Sequence, residues 1–84
     1  MPMLQLKIVS PEKVEFDGEV VSVLVPGIMG QFEILNDHAP IISTLTKGFV
    51  EYGTKEGKQR LDILGGIVSV QQNVVSLCVE VKEE

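Results

Sequence analysis

The sequence predicts an all-β fold, a sandwich or barrel of short strands. Aliphatic and polar residues alternate with a period of two at both ends of the chain, and turn-forming residues interrupt nearly every apolar run. No window places apolar residues at i, i+3, i+4 and i+7 without an intervening glycine or proline, so a packed helix has no sequence to build on. Frequent turns between short alternating runs leave sheet packed on sheet as the way to bury a core.

The first strand is set by Leu4, Leu6 and Ile8, which share one face while Gln5 and Lys7 take the other; Pro11 closes it. Asp17-Gly18 then reads as a tight turn between residues 14–16 and 19–25, because Asp-Gly readily takes positive φ. The run Val20 to Val25 is apolar on both faces and predicts a central strand covered on both sides. Pro26-Gly27 breaks it, and Gly30 follows so closely that Ile28 and Met29 fall at a loop tip. Phe32 and Ile34 form the next alternating pair, and residues 36–40, ending in Pro40, form another loop. Further strands are predicted over residues 41–46, 49–52, 60–64, 67–70 and 74–81. Gly48, Lys55-Glu56-Gly57, Gly65-Gly66 and Gln72-Asn73 separate them.

At 84 residues with 44% apolar side chains, the chain reads as a single domain over residues 1–84. A chain of this size buries about 60% of its unfolded surface, enough for one modest core. The single cysteine, Cys78, excludes an internal disulfide and leaves a cytosolic setting as the default. The N-terminus lacks the basic start and unbroken apolar run of a signal peptide, and no apolar run approaches the roughly 20 residues that cross a bilayer. A net charge of −5 repels a phosphate backbone, and the four aromatic residues are not interleaved with basic ones, so nucleic acid is excluded as a partner class.

The residues that could carry chemistry are few. His38 follows Asp37, which suggests a base with an orienting carboxylate, but adjacent turn residues seldom face each other and no glycine elbow presents Ser43 or Thr44 as a nucleophile. One histidine and one cysteine cannot complete a zinc site, so neither a metal nor a cofactor is expected. Cys78, lying mid-strand among aliphatic residues, is expected in the core as an inert thiol. The glycine pairs Gly27/Gly30 and Gly65/Gly66 precede no helix and read as turns rather than phosphate cradles. The acidic end, Glu80 to Glu84, reads as a solvated tail. Lys55 at a hairpin tip offers one rival reading, since lipoyl and biotinyl carrier domains are acidic β-sandwiches that present a lysine on a tight turn; the likeness is architectural only.

One long stretch is specific. Pro26-Gly27-Ile28-Met29-Gly30-Gln31-Phe32-Glu33-Ile34-Leu35-Asn36-Asp37-His38-Ala39-Pro40 resembles the Pro-Gly-x-x-Gly-x-x-x-Ile-Leu-x-x-His-Ala-Pro segment of F-type ATP synthase epsilon subunits. It is accompanied at the right distances by Leu6-Lys7-Ile8-Val9-Ser10-Pro11-Glu12, by Phe16-Asp17-Gly18-Glu19-Val20, and by Gly65-Gly66-Ile67-Val68-Ser69-Val70 followed by Asn73-Val74. The resemblance extends over essentially the whole chain.

That resemblance implies a flattened β-sandwich of about ten short strands with no catalytic residue of its own. It implies a rotor part at the foot of the central stalk, held by the gamma subunit and resting on the polar loops of the membrane c-ring, coupling the two during proton-driven ATP synthesis. The expected place is the cytoplasmic face of a bacterial inner membrane, with membrane contact only through the complex. By motif position, Gly27, Ile28, Met29, Gly30 and Gln31 are expected to face the c-ring, and Ser10, His38 and Ser43 to face gamma.

The chain also departs from the family pattern. Met29 and Gln31 stand where acidic residues are frequent, and Asn36-Asp37 where Pro-Gly is frequent. A ring contact built from packing and neutral hydrogen bonds is expected to depend little on salt. The family's C-terminal helical hairpin, which carries its nucleotide-binding and inhibitory roles, has no counterpart in these 84 residues; the charged ending straight after the last strand reads as a short form.

Overall fold

In a computed structural model describing residues 3–82, eight strands follow one another without a helix: β1 Leu4–Val9, β2 Val14–Val20, β3 Ser22–Gly27, β4 Gly30–Ile34, β5 Ile41–Leu45, β6 Gly48–Thr54, β7 Gly57–Gln71 and β8 Val74–Val81. They hydrogen-bond in the order β2-β1-β8-β7-β5-β3-β4, with β6 joined to both β3 and β7. Hydrogen bonding is therefore continuous, yet the molecule measures 36 × 27 × 18 Å, the flattened shape expected of two packed layers.

The strand that turns the corner is β7. It pairs antiparallel with β5 from Ile41↔Val70 to Leu45↔Gly66, and with β6 from Gly48↔Ile63 to Thr54↔Gly57, in one unbroken register. The two arms of this long hairpin bend together, at Thr46-Lys47 on one side and at a register shift between Ile63 and Gly65 on the other. Bends and bulges of this kind let a strand pass from one sheet of a sandwich to the other. One layer holds β2, β1, β8, the second half of β7 and β5; the other holds the first half of β7 with β6, β3 and β4.

Alternation sets the core as predicted. Leu4, Leu6 and Ile8 of β1 and Val75, Leu77 and Val79 of β8 are all buried, and β1 runs parallel to β8 from Gln5↔Val74 to Val9↔Cys78. From the other layer Val23, Val25, Ile34, Val50 and Ile63 meet them. Burial of each such side chain contributes about 1.5–3 kcal/mol. No charged or polar side chain is buried among the described residues.

Several expectations fail for local reasons. Eight strands stand in place of about ten. Asp17-Gly18 makes no turn: Asp17 pairs with Lys7, Gly18 with Leu6, and Gln5 Nε2 donates to Asp17 Oδ1 at 3.3 Å, so tertiary pairing overrides the local turn preference. Gly65-Gly66 likewise lies inside β7; Gly66 is there because a Cβ would come within 2.4 Å of the Cys78 carbonyl oxygen and 2.9 Å of Val79 Cα. The predicted strand over residues 19–25 breaks at Val21, which leaves Val21 half-exposed while Val20 and Val23 both face inward. Pro26-Gly27 continues β3 rather than ending it, pairing with Gln31 and Gly30. Cys78 is exposed, because its neighbours Leu77 and Val79 take the inner face and the strand period sends it outward. Of the acidic end, Glu83 and Glu84 lie outside the described residues.

Candidate functional site

The turn between β3 and β4 is built to hold two apolar side chains in the open. Gly27 pairs with Gly30, and Ile28 and Met29 form the two-residue connection, 64% and 96% exposed. Both keep negative φ, and the reversal is completed by Gly30 at φ 124°, a conformation open to glycine alone without strain. Gly27 is equally constrained: a Cβ there would meet the Gly30 carbonyl oxygen and the Phe32 ring, each at 2.8 Å. Gln31, the second residue of β4, is exposed.

What makes this tip rigid is its base. Gly27 also pairs with Leu45, the Ile28 amide donates to the Thr44 carbonyl at 3.1 Å, and the Thr46 amide donates to the Pro26 carbonyl at 2.9 Å. The turn is thereby fastened to the corner of the β5–β6 arm, where Pro26 also packs against Gly48. The expectation that Ile28 and Met29 occupy a loop tip is met, and the anchoring bonds to residues 44–46 are what sequence reading missed.

Ser10, His38 and Ser43 do not converge. Ser10 caps the loop between β1 and β2: its Oγ accepts from the amides of Glu12 (3.4 Å) and Lys13 (3.3 Å) and lies 3.0 Å from Glu15 Oε2, to which it donates. His38 closes a turn in which its amide donates to the Leu35 carbonyl at 3.1 Å, and its Nδ1 donates to the Ala39 carbonyl at 2.7 Å. Asp37 is turned away from the imidazole. Its Oδ2 accepts from Asn36 and its Oδ1 from Asn73, so the two adjacent residues form no catalytic pair. Ser10 follows the strand that ends beside Cys78, whereas the His38 turn is tied to Asn73, so the two lie toward opposite ends of β8. Ser43 sits on β5, paired with Val68, with its Oγ near the Thr44 carbonyl at 3.5 Å.

Lys55 stands exposed with Glu56 on the two-residue connection between β6 and β7, as predicted; Thr54 Oγ1 donates to the Gly57 carbonyl at 3.0 Å and accepts from the Glu56 amide at 3.1 Å. Among the described residues no group of three or more His, Cys, Asp or Glu side chains is placed to hold a metal ion. Among the described residues no helix is long and apolar enough to cross a membrane.

These features define a class: a two-layer β-sandwich that presents a rigid apolar turn at one end. Residues 3–84 match the family described as ATP synthase, Delta/Epsilon chain, beta-sandwich domain, and the chain belongs to that family. It is 40% identical over 74 residues to a protein named ATP synthase epsilon chain from Leptospira borgpetersenii serovar Hardjo-bovis (strain JB197), covering 88% of this chain and 58% of that protein. A protein of the same name from Rhodopseudomonas palustris (strain BisA53) is 37% identical over 81 residues, 96% of this chain and 60% of the relative. The chain thus spans about three-fifths of the length of these curated relatives. Among solved structures it superposes with a TM-score of 0.86 at 20% identity on a chain of the Euglena gracilis mitochondrial ATP synthase OSCP/F1/c-ring assembly, covering 94% of this chain and 52% of that one. A chain of the Tetrahymena thermophila mitochondrial ATP synthase central stalk and c-ring gives 0.76 at 19% identity. At such identities the likeness establishes the fold alone. Membership of the delta/epsilon family leaves the carrier reading of Lys55 without support.

Proposed function

We propose that this chain is a non-catalytic rotor part of an F-type ATP synthase, joining the gamma subunit to the c-ring so that both turn together. The observation that carries the reading is the Ile28-Met29 tip, fixed by hydrogen bonds to residues 44–46 in a chain that belongs to the delta/epsilon sandwich family. Torque is passed on only by contacts that do not deform, and a close-packed sandwich with a pinned turn meets that demand. Relatives named as ATP synthase epsilon chains support the same placement.

In this reading Gly27, Ile28, Met29, Gly30 and Gln31 pack on the polar loops of the ring, while Ser10, His38 and Ser43 lie toward gamma. The setting is the cytoplasmic face of a bacterial inner membrane, reached through the complex and not by a segment of these residues. Residues 1–84 act as one domain. The test is binding of the chain to the gamma subunit and to the c-ring of the same organism, measured separately, for wild type and for Ile28→Asp/Met29→Asp. Wild-type binding to both, with selective loss of the ring in the variant and little dependence of ring binding on salt, is expected. A folded chain that binds neither overturns the reading.

A further inference from the structure

The opposite end of the second layer from the Ile28-Met29 turn carries a feature that the stalk reading does not use. Here the two sheets part, and an open hollow of about 570 Å³ lies between β2 and the β6–β7 hairpin. Its floor is aromatic. Phe16, on the inner face of β2 opposite Ile8, meets Tyr52 of β6 with ring centroids 4.5 Å apart and planes tilted by 46°. Gly18 keeps the floor open, since a Cβ there would press on the Phe16 ring at 3.2 Å.

Three further observations say what the hollow suits. Tyr52 is only 9% exposed as a residue, yet it lines the hollow, and its hydroxyl is open to solvent there, making no hydrogen bond to another described group. Burial, and then the charge of Glu15, push that phenol up from its ordinary pKa, so it stays protonated and neutral and its oxygen is free to accept. The rim is acidic: Asp17, Glu19 and Glu56 border the opening against one cation, Lys55. Asp17 and Glu19 belong to the outward face of β2, so they supply field at the mouth while the phenol and the rings supply the contact surface.

We propose that this mouth docks an arginine side chain carried by a protein partner. A guanidinium is planar, weakly hydrated and permanently charged, so it can stack on the Phe16 and Tyr52 rings, donate to the Tyr52 hydroxyl and keep its remaining donors at the acidic rim. The chain itself shows the same chemistry elsewhere, with Arg60 lying 4.0 Å over the Phe49 ring. Among these 84 residues Arg60 is the only arginine, and it is already engaged with Phe49 and with Asp62 at 3.5 Å.

The test is a titration of the isotopically labelled chain with N-acetyl-arginine amide, followed by amide chemical shifts. N-acetyl-lysine amide, N-acetyl-norleucine amide and free arginine serve as comparators. Saturating shifts confined to residues 16–19 and 52–59 are expected, with a Kd on the order of millimolar for so small a probe. Free arginine binds more weakly because its own carboxylate meets the acidic rim. Tyr52→Phe, which removes one oxygen and keeps the ring, weakens binding several-fold, and the exposed triple change Asp17→Asn/Glu19→Gln/Glu56→Gln weakens it about tenfold. The proposal is overturned if the arginine probe gives no localised shifts, if lysine or norleucine matches it, or if Tyr52→Phe binds as well as wild type.

Discussion

Asn73 reaches across 36 residues of chain to accept a 2.7 Å hydrogen bond from the Asp37 backbone amide. Both residues hold positive φ, 62° and 67°, and Gln72 beside Asn73 holds 52°, so the β7–β8 turn and the loop before β5 are locked to each other in conformations that suit asparagine and aspartate. Asn73→Ala loses both the bond and the tolerance of positive φ, an expected loss of about 2 kcal/mol; Asn73→Gly loses only the bond, about 1 kcal/mol. Urea unfolding of the two variants separates the terms, and equal losses would show that the backbone conformation contributes nothing.

Neighbouring glycines in β7 are expected to differ sharply. A Cβ on Gly66 meets the backbone of β8, which cannot swing aside, whereas one on Gly65 makes only ordinary contact with the Leu45 carbonyl oxygen at 3.5 Å. Gly66→Ala should therefore cost about 3 kcal/mol or more and Gly65→Ala less than about 1 kcal/mol. Thermal unfolding of the pair decides it: similar shifts in Tm would mean that the close approach of β7 to β8 is not what holds glycine at position 66.

Cys78 is exposed, and its reactivity reports directly on the register of β8. A maleimide should label the native chain nearly as fast as the urea-unfolded chain. Protection by more than about a hundredfold would place the thiol inside and shift the whole strand by one residue.

Much of this fold is legible in the sequence because burial imposes a period of two: Leu4, Leu6 and Ile8, and Val75, Leu77 and Val79, mark the inner face without any tertiary knowledge. The same period would have placed Cys78 outward; reading its residue type instead of its parity put it in the core. Asp17-Gly18 and Gly65-Gly66 misled for a different reason. Glycine marks both tight turns and close approaches between backbones, and only a neighbouring strand distinguishes them. In the candidate site, the exposed Ile28-Met29 tip follows from Gly27 and Gly30. Its rigidity does not, since the bonds to Thr44 and Thr46 join residues far apart in the chain. The Phe16–Tyr52 mouth was equally invisible, being formed by two strands 36 residues apart in sequence that never pair.

The central claim, that this chain turns with the ring, is tested most directly by a covalent tie in the assembled synthase. With Cys78→Ser to remove the native thiol, Met29→Cys is cross-linked to a cysteine placed in a polar loop of the c-ring, and ATP synthesis is measured before and after reduction of the link. If both partners belong to the rotor, the link forms in high yield and synthesis continues undiminished. Loss of synthesis on linking, restored on reduction, would mean that the two move relative to each other and would contradict the account.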